Sequence, residues 1–244
     1  MAASDFMLGE RLLSVAKFVR QGAVFADVGT DHAYLPVFLL KEKKISAAIC
    51  SDINEGPLAN ARATAKEEGI TENIDFVLTD GAAALAGRGI TDMAICGMGG
   101  ELIAEIIGAA PYLKGEGVRL ILQPMTRQEH LRRYLYAEGF LTVGEAYATE
   151  AGKSYLVIAA EYTGNRANLT EREIAYGRAN PDCREAQAAY ISAKLASLKK
   201  RRCGLAIAND QADQDAQDAL AVCDKDIEYL EGILKSLGEN ENDR

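Results

Sequence analysis

Several features that define other protein classes are missing from this sequence. No apolar run approaches the ~18 residues that a membrane-spanning helix needs. The cysteines are dispersed and contain no C-x-x-C pair, which argues against a disulfide framework and against a zinc site. We therefore expect no membrane span, no bound metal and a reducing compartment. The cysteines are Cys50, Cys96, Cys183, Cys203 and Cys223.

Positive charge is also in deficit. The 244 residues include 27 Lys and Arg against 36 Asp and Glu, a net charge of −9. Such a protein does not attract nucleic acid through its overall field, so an RNA partner would need local basic patches. The opening stretch MAASDFMLGERLL lacks the pattern of a signal peptide, and we expect a cytoplasmic protein.

Up to about residue 162, short apolar runs alternate with helical patterns. This alternation predicts a mostly parallel sheet with right-handed crossovers, an α/β Rossmann-like fold. Two further runs, 140–150 and 154–162, are separated by a short turn and predict an antiparallel hairpin that closes the sheet. The predicted strands are 23–28, 47–53, 74–80, 92–98 and 118–124, and the predicted helices are 8–19, 34–43, 56–68, 101–109 and 128–138.

From residue 163 the chain carries no strand pattern. Ala188, Ile191, Leu195 and Leu198 repeat at spacings of three and four, and a similar repeat runs from Leu220 to Leu237. With CGLAIAND (203–210) as the connection, an antiparallel coiled-coil pair is predicted, and ENENDR at the end is expected to fray. We therefore expect a domain at 1–162, a helical domain at 163–244, and a monomer.

Each predicted parallel strand ends in a polar or glycine-rich signal. Because the carboxyl ends of parallel strands meet at one edge of a sheet, these signals should surround one ligand. Asp52 fits a ribose or, alternatively, a helix N-cap, and Gln123 fits a substrate base. The signals are Asp27–Gly29, Asp52, Asp80–Gly81, Gly97–Gly100 and Gln123–Pro124.

The loop after the first strand, GTDHAY, discriminates between cofactors. A dinucleotide needs G-x-G-x-x-G around its pyrophosphate, whereas this loop has one glycine, Gly29, and then Asp31. A carboxylate repels phosphate but suits the cationic sulfonium and amino groups of S-adenosylmethionine. A NAD-dependent oxidoreductase is therefore the less favoured alternative.

Six segments resemble the bacterial tRNA (adenine-22, N1)-methyltransferase family: ADVGTDHAYLP, SDINEGPLANA, TDGAAAL, ICGMGGELI, LILQPMTRQEHLRRYLYAEGF and EAGKSYLVIAAEY. The similarity runs from about Leu8 to Glu161, and the helical tail is also typical of that family. The resemblance implies a class I methyltransferase that uses S-adenosylmethionine and acts on tRNA. A methyltransferase of the same fold with another substrate remains the alternative.

The resemblance also implies positions for the cofactor. It places Asp52 at the ribose, Asp80 and Gly81 beside the adenine, and Gly97 to Gly100 beside the methionine portion. The full implied set is Asp27, Gly29, Thr30, Asp31, His32, Asp52, Ile53, Asn54, Asp80, Gly81, Gly97, Met98, Gly99 and Gly100. Met125 stands where the family often has a polar residue.

The expected chemistry depends on positioning, since adenine N1 is already a nucleophile and needs no base. Asp31 is predicted to be catalytic, by accepting the N6 hydrogen as positive charge develops on the ring. Arg11 is the second predicted catalytic residue, and the resemblance favours a position from which it reaches a phosphate or the substrate mouth. His32 is either a general base or a structural residue at the start of a helix.

Three basic clusters are candidates for tRNA phosphates: Lys41/Lys43/Lys44, Arg127/Arg132/Arg133 and Lys199/Lys200/Arg201/Arg202. The last cluster is predicted either to clamp a phosphate or to be a solvated helix terminus whose cations favour the helix dipole. Gln123, Pro124 and this last cluster complete the predicted substrate contacts.

Overall fold

The computed structural model describes residues 6–115, 117–166, 169–208 and 214–238. The strands are β1 (Ala23–Val28), β2 (Ile45–Asp52), β3 (Ile74–Leu78), β4 (Asp92–Gly99), β5 (Arg119–Thr126), β6 (Phe140–Glu150) and β7 (Lys153–Tyr162). The helices are α1 (Glu10–Phe18), α2 (Tyr34–Lys41), α3 (Glu55–Glu67), α4 (Gly100–Gly108), α5 (Gln128–Ala137), α6 (Glu171–Tyr176), α7 (Arg184–Ala208) and α8 (Gln214–Gly238).

The seven strands form one sheet in the order β3-β2-β1-β4-β5-β7-β6. β1 pairs in parallel with β2 and β4, and β4 pairs in parallel with β5. β2 and β3 lie on one side of β1, and β4 and β5 lie on the other side. β7 pairs antiparallel to β5, with Arg119 opposite Glu161 and Leu122 opposite Ile158. The predicted α/β fold, closed by an antiparallel hairpin, is confirmed.

The central strands are buried on both faces, as parallel strands between helices should be. Phe25, Ile95 and Leu120 on three neighbouring strands are fully buried. Helices α1, α2 and α3 contact one another in series, whereas α4 contacts α5. The predicted element ends in this part of the chain agree with the observed ends within two residues, because glycines and short turns mark most of them.

The chain divides into two compact units, Met1–Ala146 with Tyr155–Asn168 and Tyr147–Ser154 with Leu169–Arg244. In the second unit α7 and α8 pack in antiparallel order: Arg184 donates to the Leu237 carbonyl at 2.8 Å, and Lys199 lies 2.8 Å from Glu231. The predicted apolar repeat supplies the buried side chains Ile191, Leu195, Cys223, Leu230, Ile233 and Leu237.

The predicted connection at 203–210 is wrong in its first part. α7 continues through Cys203 and Gly204 to Ala208, and nothing lies within 4 Å of a Cβ placed on Gly204. One glycine in an exposed helix costs only about 1 kcal/mol, which the surrounding helix formers offset. Residues 209–213 and the tail expected to fray, 239–244, lie outside the described residues.

We expect Gly100→Ala to lower the free energy of unfolding by about 1–3 kcal/mol, because overpacking against backbone cannot relax easily. A Cβ on Gly100, in the first turn of α4, would lie 2.3 Å from the Arg127 carbonyl oxygen. Gly56→Ala, near the start of α3, is the matched control, since nothing lies within 4 Å of its Cβ. Urea unfolding of both variants tests this, and equal stability would contradict the packing argument.

Candidate functional site

The carboxyl ends of β1 and β4 open into a cleft of about 390 Å³. Its walls come from the loop after β1, the end of β4 and the first turns of α1. The predicted residues Arg11, Asp27, Gly29, Thr30, Asp31, His32 and Gly97 all line it, together with Leu12, Ala33, Tyr34, Leu35 and Cys96. The structure therefore brings the first and fourth strand-end signals together at one site.

The loop after β1 directs its first N–H groups away from the cleft. The Gly29 and Thr30 amides both donate to the Ser51 carbonyl of β2, at 2.8 and 2.9 Å. Gly29 has a positive φ of 79°, and a Cβ there would lie 2.1 Å from the Met98 Cε atom. A phosphate-binding loop presents backbone amides to its ligand, and these two amides are already engaged within the sheet.

Asp27 lies at the base of the cleft. Its carboxylate accepts a hydrogen bond from the Thr30 hydroxyl. Burial raises the pKa of Asp27 to about 6, while the Thr30 hydrogen bond and the Arg11 charge oppose that rise and the Asp52 carboxylate adds to it. A buried acid of this kind in a cleft is typical of a functional group.

Asp31, His32 and Tyr34 form the rim of the cleft. Ala33 between them takes the left-handed conformation, φ 53°, and is the N-cap of α2. The His32 Nε2 atom lies 3.4 Å from an Asp31 carboxylate oxygen, and the His32 ring stacks on Tyr34. Tyr34 was not among the predicted site residues, although it stands in the quoted DHAYLP motif.

The second and third strand ends carry acids that face solvent. Asp52 accepts a 2.8 Å hydrogen bond from the Asn54 amide, which starts the turn into α3. The N-cap position of α3 is occupied by Asn54, whose side chain makes no capping hydrogen bond. Asp52 is therefore not the N-cap residue, which was its alternative role. Ile53 is 59% exposed, an unusual state for isoleucine, and Asp80 is exposed before Gly81 with φ 65°.

A β-bulge at the end of β4 creates a polar contact that the sequence did not reveal. The pairing of β4 with β5 shifts between Cys96 and Met98, where Gly97 adopts φ 78°. The Gly97 amide, freed from the ladder, donates to the Gln123 side-chain oxygen at 3.2 Å. Arg11 Nη1 donates to the same oxygen at 3.0 Å.

This geometry does not fit the expectation that Gln123 and Pro124 present themselves to a substrate. Gln123 is fully buried, its oxygen accepts twice, and its amide nitrogen lies 3.4 Å from the Met125 sulfur. Pro124 is buried as well. Gln123 is instead a connection between α1, β4 and β5, and the exposed residues at this strand end are Met125 and Thr126.

The four predicted glycine-run positions differ in their surroundings. Gly97 lines the cleft, and the Met98 side chain reaches Gly29. Gly99 lies near the Thr126 hydroxyl, which a Cβ would approach to 3.3 Å. Gly100 is buried against the Arg127 backbone, so its missing side chain has a packing reason.

Arg11 faces both the cleft and the first unit's interior. Besides Gln123, its guanidinium lies 5.9 Å from the Tyr155 ring centroid. Its charge also lowers the pKa that burial alone would give Asp27. Arg11 therefore organises the base of the cleft.

Several cations of the three basic clusters form ion pairs, among them Arg127 with Glu101 and Glu129. Lys41 pairs with Glu68 at 2.5 Å, and Lys44 donates to the Ala16 carbonyl at 2.6 Å. Arg132, 1% exposed, pairs with Glu145 at 2.7 Å, so it is not available to a phosphate. In the last cluster Lys199 pairs with Glu231 and Arg202 with Asp224, while Lys200 and Arg201 are exposed.

Within the ranges that the structure describes, no group of three or more His, Cys, Asp or Glu side chains is placed to hold a metal ion. Across those same ranges, no helix is long and apolar enough to cross a membrane.

Comparison with known proteins identifies the family. The family model for a methyltransferase domain matches residues 8–158. The tRNA (adenine(22)-N(1))-methyltransferase of Bacillus subtilis strain 168 is 37% identical over 158 residues, which cover 65% of this chain and 66% of that enzyme. In that sequence alignment the chain thus spans just under two thirds of the relative's length.

Solved structures agree over nearly the whole chain. The crystal structure of the Bacillus subtilis m1A22 tRNA methyltransferase has a TM-score of 0.80 at 30% identity and covers 94% of this chain and 100% of its own. The Streptococcus pneumoniae putative tRNA (m1A22) methyltransferase in complex with S-adenosyl-L-methionine has a TM-score of 0.72 at 32% identity, covering 93% and 100%. With its sheet order, its acid-lined cleft and these matches, the chain belongs to the bacterial tRNA (adenine-22, N1)-methyltransferase family.

Proposed function

We propose that this chain transfers a methyl group from S-adenosylmethionine to N1 of adenine 22 in tRNA. The observation that carries the proposal is the cleft at the ends of β1 and β4, which is lined by the carboxylates of Asp27 and Asp31, while the Gly29 and Thr30 amides are bonded to Ser51. The family membership supplies the reaction, and the relatives named above act on that base.

The residues of the cleft fit the cofactor chemically. S-adenosylmethionine, when bound, supplies an electrophilic methyl group on a cationic sulfur. Asp27 and Asp31 offer carboxylates to its cationic groups, and Asp52 offers one to ribose hydroxyls. The exposed Ile53 offers an apolar surface to the adenine, with Asp80 and Gly81 just beyond the end of the neighbouring strand β3. Gly97 and Met98 border the cleft at the end of β4.

A dinucleotide fits this cleft poorly. The Gly29 and Thr30 amides, which would have to meet a pyrophosphate, donate to Ser51 instead. Asp31 would add a negative charge beside the phosphates. The oxidoreductase alternative therefore has no support in the loop geometry.

Asp31 is proposed as the catalytic carboxylate. It lies on the rim, 69% exposed, where an entering base would meet it. Adenine N1 attacks with its own lone pair, so the protein needs no base and must only position the ring and stabilise its positive charge. A carboxylate hydrogen-bonded to the N6 group does both. N1 lies on the Watson–Crick edge, so the adenine must first leave its pairing partner.

The remaining proposals concern the second unit and the assembly. The exposed Lys200 and Arg201 on α7 are the residues of that cluster proposed to contact tRNA phosphate, since Lys199 and Arg202 already have acidic partners. Residues 1–162 and 163–244 are proposed as the methyltransferase and helical domains of a cytoplasmic monomer.

The function is tested by incubating the purified chain with unmodified tRNA and cofactor labelled in the methyl group. We expect label in tRNA, and mass spectrometry should place N1-methyladenosine at position 22. Replacing adenine 22 by guanine should abolish labelling. Cofactor binding without any tRNA methylation would favour a methyltransferase with another substrate.

Asp31→Asn is expected to lower kcat by about tenfold or more, because a neutral amide stabilises developing positive charge less well. Affinity for S-adenosylhomocysteine, measured by calorimetry, should change less than kcat. A variant with unchanged cofactor affinity and full methyl transfer would exclude Asp31 from catalysis.

Gln123→Leu is expected to lower kcat/KM by about tenfold, because the Gly97 amide and Arg11 both lose an acceptor. Gln123→Glu keeps an acceptor oxygen and should retain more activity than the leucine variant. Gln21→Leu, an exposed glutamine bonded to the Lys43 carbonyl, is the control and should retain full activity. Steady-state kinetics would reject the positioning role if leucine and glutamate behaved alike.

Asp27→Asn is expected to stabilise the protein without cofactor at pH 7 and to weaken cofactor binding. Since the pKa of Asp27 is raised to about 6, the folded state holds a proton that the unfolded chain releases between pH 4 and pH 6. Wild-type stability should therefore fall as the pH rises through that window, by on the order of 3 kcal/mol.

The asparagine variant should gain that amount above pH 6 and gain nothing below pH 4. Asp75→Asn, which removes an exposed pair with Arg88, is the control and should change stability by at most ~1 kcal/mol at either pH. Urea unfolding at both pH values measures the difference. A variant less stable than the wild type at pH 7 would contradict the cost of burying this carboxylate.

A further inference from the structure

The rim of the cleft carries a preformed pair of aromatic rings. The His32 and Tyr34 rings are stacked, with centroids 5.0 Å apart and planes 6° from parallel. Both remain open to solvent: Tyr34 is 43% exposed, and the His32 side chain is 40% exposed. Both also line the cleft that contains Asp27 and Asp31.

The pair is fixed from two sides. The left-handed Ala33 turns the chain between the two rings, and the Asp31 carboxylate lies 3.4 Å from the imidazole. Tyr34 contacts Phe6 at a centroid distance of 5.7 Å, and Phe6 in turn packs on the cluster that contains Ala33 and Val37. Rings held in this way lose little conformational freedom when a ligand stacks on them.

The methylation reaction creates a need for such a surface. An adenine that leaves its helix to expose N1 loses the stacking of its neighbours, and the enzyme has to replace it. Aromatic side chains do so in many RNA-binding sites, at about 1–3 kcal/mol per base.

The charge distribution of the protein also favours a stacking surface for the base. The net charge is −9, and several cations of the candidate basic clusters are already paired with acids, as are Lys41, Lys199 and Arg202. Phosphate contacts can therefore contribute less than in a basic RNA-binding protein, and uncharged contacts must contribute more.

We propose that His32 and Tyr34 form a stacking platform for the extruded adenine of the RNA substrate. The inference rests on the proposed function and adds the surface that receives the base. An adenine lying on this platform is adjacent to Asp31, whose carboxylate can meet the N6 group. His32 then acts through its ring face, and the reaction requires no proton transfer by its imidazole.

The test compares ring-removing with ring-retaining variants: Tyr34→Leu and His32→Ala against Tyr34→Phe and His32→Phe. We expect the first two to lower kcat/KM for tRNA by about tenfold or more and the last two to stay within about threefold of wild type. Affinity for S-adenosylhomocysteine should stay within about threefold in all four, and circular dichroism checks folding.

A direct readout uses tRNA with 2-aminopurine in place of the target adenine. Stacking on an aromatic ring quenches this base, so the complex with wild type should be dim. The complexes with Tyr34→Leu and His32→Ala should be brighter, or should form only at higher protein concentration.

The outcomes separate the two levels of the proposal. A wild-type chain that never methylates tRNA would overturn the function and the platform together. An active wild type whose ring-removing variants keep their kcat/KM and their quenching would overturn the platform alone. A parallel loss of S-adenosylhomocysteine affinity would assign the rings to the cofactor, and loss of activity in His32→Phe alone would assign the imidazole a role in proton transfer; either result overturns the platform.

Discussion

The chemical character of the cleft depends on which acceptors the backbone amides of the loop after β1 bind. Two successive N–H groups, from Gly29 and Thr30, bond to the Ser51 carbonyl of the neighbouring strand. The backbone is thereby satisfied within the sheet, and the ligand side of the loop is left to side chains. These side chains are Asp27 and Asp31, so the cleft favours a cation over a phosphate. These two hydrogen bonds thus leave the side chains as the groups that line the cleft.

A second polar connection holds the opposite wall. The bulge at Gly97 removes one amide from the ladder between β4 and β5, and the buried Gln123 oxygen accepts it. Because the same oxygen accepts from Arg11, helix α1 is tied to the strand end across 112 residues of sequence. A bulge that takes an amide out of the strand ladder in this way provides a fixed hydrogen bond beside the cleft. The cost of burying Asp27 at that site, seen in its raised pKa, is typical of a functional cleft.

Much of the fold was predictable, because strand and helix signals alternate clearly in the first 162 residues. The five parallel strands and the closing hairpin were all predicted, and the predicted ends of these strands lie within two residues of the observed ends. The end of α7 was missed because Gly204 resembles a turn signal, yet a single glycine does not end an otherwise helical segment. Asp27, Gly29 and Gly97 were predicted to meet because they follow strand ends, whereas the family resemblance placed Arg11, Thr30 and His32 at the same site. Tyr34 and Cys96 were missed, since neither residue type marks a site by itself.

Periodicity, glycine spacing and charge are local properties, and they suffice to predict the sheet, its antiparallel closure and the acidic character of the loop. Which polar groups are still available to a ligand becomes visible only in the folded chain. Gln123 looks like a substrate contact in the sequence, and its burial between Arg11 and Gly97 gives it another role. Arg132 and Lys199 look like phosphate contacts until their partners Glu145 and Glu231 are seen. Hydrogen bonds and ion pairs between distant residues depend on distance in space, and one-dimensional spacing does not encode that distance.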